Sequence, residues 1–175
     1  MNIVYIVLYN FLFHPFFIFS MFFLSIFNKK IRQGIIGRFE SLYILKNYFS
    51  KNNLNSNIIW FHCSSLGEYM QAEPIIDSLK NREKSCTVLV SFFSPSGFEN
   101  VKNSNIDCKV YLPFDFPWTV NSLFEIVRPE FIILANNDLW YNFLKIAKKR
   151  GVKTYLIGAE SKRFHNNKFL LSHYF

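Results

Sequence analysis

The sequence predicts an α/β fold, a Rossmann-like parallel sheet with flanking helices, preceded by an N-terminal membrane-anchor helix. Five short apolar runs alternate with helix-like segments between Ile58 and Ile157. Connections long enough to hold a helix favour parallel strands with helices packed on the sheet. An uncharged apolar segment, Ile3 to Phe27, precedes them. No G-x-G-x-x-G pattern follows the first strand, so the dinucleotide-binding fingerprint is absent.

The segment at residues 1–27 predicts a membrane anchor. As a helix, its apolar part would be about 37 Å long at roughly 1.5 Å per residue, enough to cross a bilayer core of about 30 Å. Pro15 is tolerated there as a kink. Lys29, Lys30 and Arg32 follow at once and predict, by the positive-inside bias, that the rest of the chain lies in the cytoplasm. An interfacial Phe-rich helix is the alternative, and a cleaved signal peptide is less favoured.

The net charge of +8 is unevenly distributed. Residues 28–51 hold six basic and one acidic residue, residues 52–143 six and ten, and residues 144–175 eight and one. Basic segments beside an apolar N-terminus fit anionic lipid head groups better than nucleic acid. The sequence contains no zinc-knuckle, RNP-like or helix-turn-helix pattern, so no nucleic-acid partner is predicted.

Cysteine and histidine spacing argues against disulfides and metals. Cys63, Cys86 and Cys108 are odd in number and far apart, which predicts buried thiols in a reducing compartment. The four histidines lack the spacing of metal ligands, so no metal site is predicted.

Apolar periodicity and the positions of Gly and Pro predict the remaining elements. Residues 28–57 form a basic segment, with an amphipathic helix at 35–49 and a polar connector from 50. A Rossmann-like domain follows at 58–175. Its strands are predicted at 58–61, 87–93, 108–112, 131–135 and 153–157, with helices at 67–81, 97–102 and 116–127 and a last helix ending at Lys149.

The stretch from Ile58 to Pro74 is the candidate site. Its apolar strand gives way to small and polar residues up to Gly67, and Glu68 falls in the first turn of the next helix. Ligands bind at the carboxyl ends of parallel strands, and a first helical turn offers free N–H groups. A carboxylate there is expected to be ionised and able to act as a general base. The alternative is an acid that only complements the helix dipole.

Several stretches in order resemble the N-terminal half of the 3-deoxy-D-manno-octulosonic acid (Kdo) transferases. They are WFHCSSLGEYMQAEPII, VSFFSPSGFE, VYLPFDFP and NDLWYNFLKIAKKRGVKTYLIGA, preceded by the anchor. The resemblance covers roughly residues 35–160. It implies a two-domain GT-B glycosyltransferase of lipopolysaccharide biosynthesis. In such enzymes the N-terminal domain binds a lipid A precursor and the C-terminal domain binds the donor CMP-Kdo, with no further cofactor.

The same resemblance implies roles for residues of two loops. Glu68, in the pattern S-x-G-E, is implied to be the catalytic base. For the two serines of the second loop, at positions 94 and 96, helix capping is the alternative role. The implied acceptor-binding residues are Ser65, Gly67, Ser94, Ser96 and Gly97.

Asp138 is implied to be a supporting acid, although the family usually has Glu at this position. Asn136 stands where many members carry another acid. Trp60 and Trp140 are favoured as core residues over sugar platforms. Beyond the fifth strand, Arg163 is only a loose match to an Arg of the family.

The resemblance also predicts that the C-terminal donor domain is absent from these 175 residues. A GT-B half could supply a base and an acceptor surface, but not the donor geometry that makes transfer fast. The alternatives are a non-catalytic, membrane-tethered lipid-binding remnant and another GT-B transferase acting on a lipid-linked sugar. Fold similarity alone does not choose among them.

Overall fold

The computed structural model describes residues 3–52, 57–136 and 138–158. Its N-terminal part is one continuous apolar helix, as predicted. Helix α1 (Ile3–Leu8) runs into a π-helical turn (Tyr9–Phe13) and then into α2 (His14–Phe27). Pro15 lies in the first turn of α2. Proline has no N–H to donate within a helix, and the wider π-helical turn just before it accommodates this missing hydrogen bond. The stretch Val4–Phe27 is long and apolar enough to cross a membrane.

Asn28 separates α2 from α3 (Lys29–Lys51). Its backbone is extended, and its side chain accepts hydrogen bonds from the N–H groups of Lys30 and Ile31. This N-cap explains why α3 begins six residues before the predicted start at residue 35. One face of α3, including Ile35 and Leu45, is buried.

Within the described residues, five strands form one parallel sheet in the order β3-β2-β1-β4-β5. The predicted fold class is therefore confirmed. The bounds of β4 and β5 agree with the prediction, whereas β1 extends two residues further. The strands are β1 (Ile58–Cys63), β2 (Thr87–Phe92), β3 (Cys108–Tyr111), β4 (Phe131–Ala135) and β5 (Lys153–Ile157).

Helices cover both faces of the sheet. On one face, Trp60 and Leu89 pack with side chains of α3, α6 and α7. On the other, Phe61 and Val90 pack with α4 and α5. The three cysteines are buried and have free thiols, as predicted. The helices are α4 (Leu66–Arg82), α5 (Pro95–Asn100), α6 (Pro117–Val127) and α7 (Tyr141–Lys149).

The strand order places a topological switch point between β1 and β4. From β1 the chain moves outward to β2 and β3, and then returns to the other side of β1 as β4. Loops at the carboxyl ends of such a pair diverge and leave a crevice, where ligands of open α/β sheets bind. The loop before Glu68 and the segment that holds Asp138 lie at this point.

Candidate functional site

Glu68 is held by the loop that follows β1. Ser65 is the N-cap of α4 and its hydroxyl accepts the N–H of Glu68, at 3.4 Å. The carboxylate of Glu68 in turn accepts the N–H of Ser64. This backbone donor lowers the pKa of Glu68, but burial raises it by more, so the net shift is upward. The expectation of an environment that favours the ionised form is therefore not met, although a raised pKa suits a general base.

Asp138 lies opposite Glu68 and has a different environment. Its Oδ2 atom accepts hydrogen bonds from the Ser64 hydroxyl, from His62 Nε2 at 3.1 Å and from Trp140 Nε1 at 3.1 Å. Burial raises the pKa of Asp138, but the hydrogen bonds from His62, Ser64 and Trp140 together lower it by more, and the net shift is downward. Of the two acids, Asp138 is therefore the one that ionises more readily.

Ser64 connects the two acids, because its N–H donates to Glu68 and its hydroxyl donates to Asp138. Carboxyl groups whose surroundings move their pKa values in opposite directions can take different roles at one pH. Glu68 suits proton transfer, whereas Asp138 suits a fixed negative charge. The sequence analysis named both acids, but it did not identify Ser64 as the residue between them.

A buried polar chain supports Asp138 from below. Trp60 Nε1 donates to the Ser91 hydroxyl at 2.8 Å, and that hydroxyl lies 2.9 Å from His62 Nδ1. When the Ser91 hydroxyl donates to Nδ1 and the ring proton of His62 is on Nε2, each hydrogen bond in the series from Trp60 through Ser91 and His62 to Asp138 has one donor and one acceptor. His62 and Ser91 are direct neighbours in the β1–β2 register. Their polarity within two apolar strands was the sequence signal that could have revealed them.

The second predicted loop lies beside the first. The N–H of Ser94 donates to the Ser64 carbonyl at 2.7 Å. The Ser94 side chain caps α5 by accepting the N–H of Ser96, which is the alternative role considered for it, and Ser96 itself is exposed. A Cβ at Gly97 would meet the Phe92 ring and lie 3.2 Å from the Ser65 carbonyl carbon, so this glycine lets the two loops approach.

Gly67 differs from Gly97, since it is exposed and a Cβ built on it meets no described atom within 4 Å. Asn136 adopts a left-handed backbone, with φ of 65°, a conformation that Asn tolerates better than most residues. Trp60 is fully buried, as predicted, whereas Trp140 is half-buried. Arg163 lies outside the described residues.

Arg38 and Asp115 were not predicted to belong to the site's framework. Arg38 donates to the Phe93 carbonyl at 2.5 Å, and its guanidinium lies 4.2 Å from the Phe93 ring. The Phe93 ring in turn stacks on Trp140 at 5.3 Å. Burial lowers the pKa of Arg38 to about 10, so it stays protonated at neutral pH. Asp115 accepts the N–H groups of Asn142 and Phe143 at 2.8 and 2.9 Å, and thereby caps α7 just after Trp140.

Together, the fold and the site define an α/β domain that presents two unequal carboxylates at the switch point of a parallel sheet. A family model described as "3-Deoxy-D-manno-octulosonic-acid transferase (kdotransferase)" matches residues 38–170. The chain therefore belongs to the Kdo transferase family.

Curated relatives show the same similarity. The chain is 29% identical over 132 residues to the 3-deoxy-D-manno-octulosonic acid transferase of Aquifex aeolicus, covering 72% of this chain and 36% of the relative. It is 30% identical over 88 residues to the Haemophilus influenzae enzyme of the same name, covering 49% and 21%. A bifunctional glycosyltransferase/methyltransferase of Fusobacterium nucleatum is 25% identical over 122 residues, covering 65% and 19%. The chain thus spans about a third or less of the length of these relatives.

Proposed function

We propose that this chain is the acceptor-binding half of a Kdo transferase. It acts with a donor-binding domain to transfer Kdo from CMP-Kdo to a lipid A precursor, in lipopolysaccharide biosynthesis at the cytoplasmic face of the inner membrane. The observation that carries the proposal is the pairing of Glu68 and Asp138 through Ser64, at the switch point of a domain that belongs to this family. The apolar helix Val4–Phe27 supports the membrane location.

In this proposal Glu68 is the general base. An acceptor sugar hydroxyl gives its proton to the Glu68 carboxylate as its oxygen bonds to the anomeric carbon of Kdo. The bond from that carbon to the CMP phosphate oxygen breaks, and CMP leaves with the electron pair. A hydroxyl is a poor nucleophile until a positioned base takes its proton, which is the contribution expected of Glu68.

Asp138 and the two serine loops hold the reacting groups in place. Asp138 keeps Ser64 oriented, and Ser64 in turn donates its N–H to Glu68. The loops of Ser65 and Ser94 lie side by side at the same edge of the sheet and form the acceptor side of the crevice. The exposed backbone at Gly67 leaves room for a sugar to approach the first turn of α4.

A transfer assay tests this function. The chain in detergent is mixed with CMP-Kdo, a lipid A precursor and a donor-binding domain taken from a relative, and Kdo-modified lipid is measured. We expect Glu68→Gln to reduce transfer about 10²- to 10⁴-fold, the usual contribution of a general base. Glu99→Gln, a change of an exposed acid on α5, serves as the matched control and should leave the rate unchanged.

Two results would contradict the proposal. Transfer that survives in Glu68→Gln would remove Glu68 as the base. A folded chain that binds the precursor, with unchanged affinity in Glu68→Gln but without transfer under any condition, would favour the lipid-binding remnant. Competition between the lipid A precursor and other lipid-linked sugars identifies the acceptor if a different GT-B reaction is catalysed.

A further inference from the structure

The apolar N-terminal helix contacts the globular domain through side chains between Tyr5 and Phe17. Near its start, the Tyr5 ring lies 5.7 Å from the ring of Tyr141, the first residue of α7. One turn later, the Tyr9 hydroxyl donates to Asp115 at 2.8 Å. The helix therefore contacts the sheet domain far from the hairpin at Asn28 that connects them.

The contact continues into α2. Asn142 Nδ2 donates to Asn10 Oδ1 at 2.8 Å. His14 is fully buried, with its ring 4.8 Å from that of Phe116, and Phe17 lies 6.0 Å from Trp140. The helix is thus one wall of the framework that surrounds Trp140.

The helix presents two chemically different faces. Its polar residues Tyr9, Asn10 and His14 point to the domain, where two of them make hydrogen bonds. Its outer face is apolar and strongly exposed, with Phe11 at 79% and Phe27 at 77%. A large exposed apolar surface of this kind marks a contact with lipid or protein.

A bilayer-crossing orientation conflicts with these contacts. If Phe27 lay at one membrane face, Tyr9 would lie about 27 Å deeper, at roughly 1.5 Å per residue, near the far side of an apolar core of about 30 Å. Asp115 and the start of α7 would have to lie at the same depth. The exposed Lys145 and Lys149 of α7 would be drawn towards the hydrocarbon, where each Lys is strongly disfavoured.

A second apolar surface extends the outer face of the helix. On α3, Ile36, Phe39 and Tyr43 are 51%, 65% and 69% exposed, at spacings that put them on one side. The Phe39 ring lies 6.3 Å from that of Phe22 on α2, so the two surfaces are continuous. Trp118, 67% exposed, joins them across a cavity of about 240 Å³ that is also lined by Phe39.

Basic residues border this surface. Lys29, Lys30 and Arg32 are exposed at the hairpin between α2 and α3. Cations at the edge of an apolar face are attracted to anionic lipid head groups. The surface therefore combines an apolar centre with a cationic border, as in helices that lie in the membrane interface.

We propose that this chain is monotopic. The outer face of α1 and α2, the α3 stripe of Ile36, Phe39 and Tyr43, and Trp118 lie together in one leaflet of an anionic bilayer, and the N-terminus stays on the same side as the sheet domain. This placement does not depend on the proposed reaction. It puts Trp140, which Phe17 contacts, close to the head groups, so a lipid substrate could reach Glu68 without leaving the membrane.

Cysteine labelling distinguishes the two orientations. A short Gly/Ser tag with one cysteine is added ahead of Met1, and a membrane-impermeant maleimide is applied to intact spheroplasts and to inverted membrane vesicles. The untagged chain, whose cysteines are buried, gives the background, and detergent-permeabilised spheroplasts give full labelling. We expect labelling in inverted vesicles and none above background in intact spheroplasts. Labelling of intact spheroplasts would show a crossing helix and overturn the proposal.

Tryptophan fluorescence gives an independent readout of the lipid-facing surface. The chain is reconstituted in phosphatidylcholine–phosphatidylglycerol vesicles whose acyl chains are brominated. We expect bromine to quench a part of the emission that is missing in Trp118→Phe. Equal quenching in the parent and in this variant would show that Trp118 is outside the acyl region and would contradict the proposed surface.

Discussion

The hydroxyl of Tyr9 donates a hydrogen bond of 2.8 Å to the carboxylate of Asp115, 106 positions away in the sequence. The same carboxylate caps α7 through the N–H groups of Asn142 and Phe143. Helix α7 begins directly after Trp140, which donates to Asp138. One buried acid thus connects the apolar helix, the start of α7 and the candidate site.

The ionisation of Asp115 should make stability depend on pH. Burial raises its pKa to about 7, against hydrogen bonds from Asn142, Tyr9 and Phe143 that lower it. Because its ordinary value is 3.8, the folded chain holds this proton more tightly than the unfolded chain. Its contribution to stability is therefore full below about pH 4 and is lost as the pH rises through about 7.

We expect the Tm of the chain in detergent to fall between pH 5 and pH 8, and to fall less in Asp115→Asn, which has no titrating group there. Thermal unfolding followed by intrinsic fluorescence at a series of pH values measures both slopes. Parallel pH profiles of the two proteins would show that Asp115 does not titrate in this range.

Ser91 should stabilise the fold through two buried partners. Ser91→Ala leaves Trp60 Nε1 without its acceptor and His62 Nδ1 without its hydroxyl partner, both in the buried core. An unsatisfied buried polar group costs about 1–3 kcal/mol. We expect a loss of this size in the free energy of unfolding, measured by denaturant titration. Ser96→Ala, the same change at an exposed position, should alter it by less than about 0.5 kcal/mol.

The glycines of the two loops should respond differently to alanine. Gly97→Ala places a Cβ against the Phe92 ring and the Ser65 carbonyl, so we expect a lower Tm. Gly67→Ala meets open space and should keep the Tm of the parent. If the acceptor approaches this backbone, Gly67→Ala should nevertheless weaken precursor binding, measured by co-sedimentation with the lipid. Unchanged binding in Gly67→Ala would place the acceptor elsewhere.

The rate of transfer should follow the ionisation of Glu68. Burial raises its pKa, and the charge of Asp138 raises it further. A base must be deprotonated, so kcat/KM should rise with pH through this raised pKa. Asp138→Asn removes the neighbouring charge and should move the acid limb of the profile to lower pH, whatever its effect on the maximum rate. A limb that stays at the same pH would mean that another group controls it.

Much of the architecture could be predicted from local sequence. The apolar run at 131–135 corresponds residue for residue to β4, because a buried strand needs a continuous apolar run and a break at each end. The bounds of β5 also agree with the prediction, although it is a more exposed strand at the edge of the sheet. The start of α3 was missed because Asn28 acts as a cap through its own conformation, which apolar periodicity does not reveal. Glu68 was named from its place in the first helical turn after a buried strand, Asp138 was named from motif resemblance, and their proposed roles stay predictions.

The sequence by itself determined the order and type of the elements, since periodicity and turn residues act over a few positions. Only the tertiary structure decided which buried polar groups meet. Ser64 and Asp138 are 74 positions apart, and His62 and Asp138 are 76 apart. Their contact requires β1 and β4 to be neighbours in the sheet, and the bond from Tyr9 to Asp115 requires the apolar helix to lie along the domain. A polar side chain carries the need for a partner, but the partner is chosen by the packing that brings distant segments together.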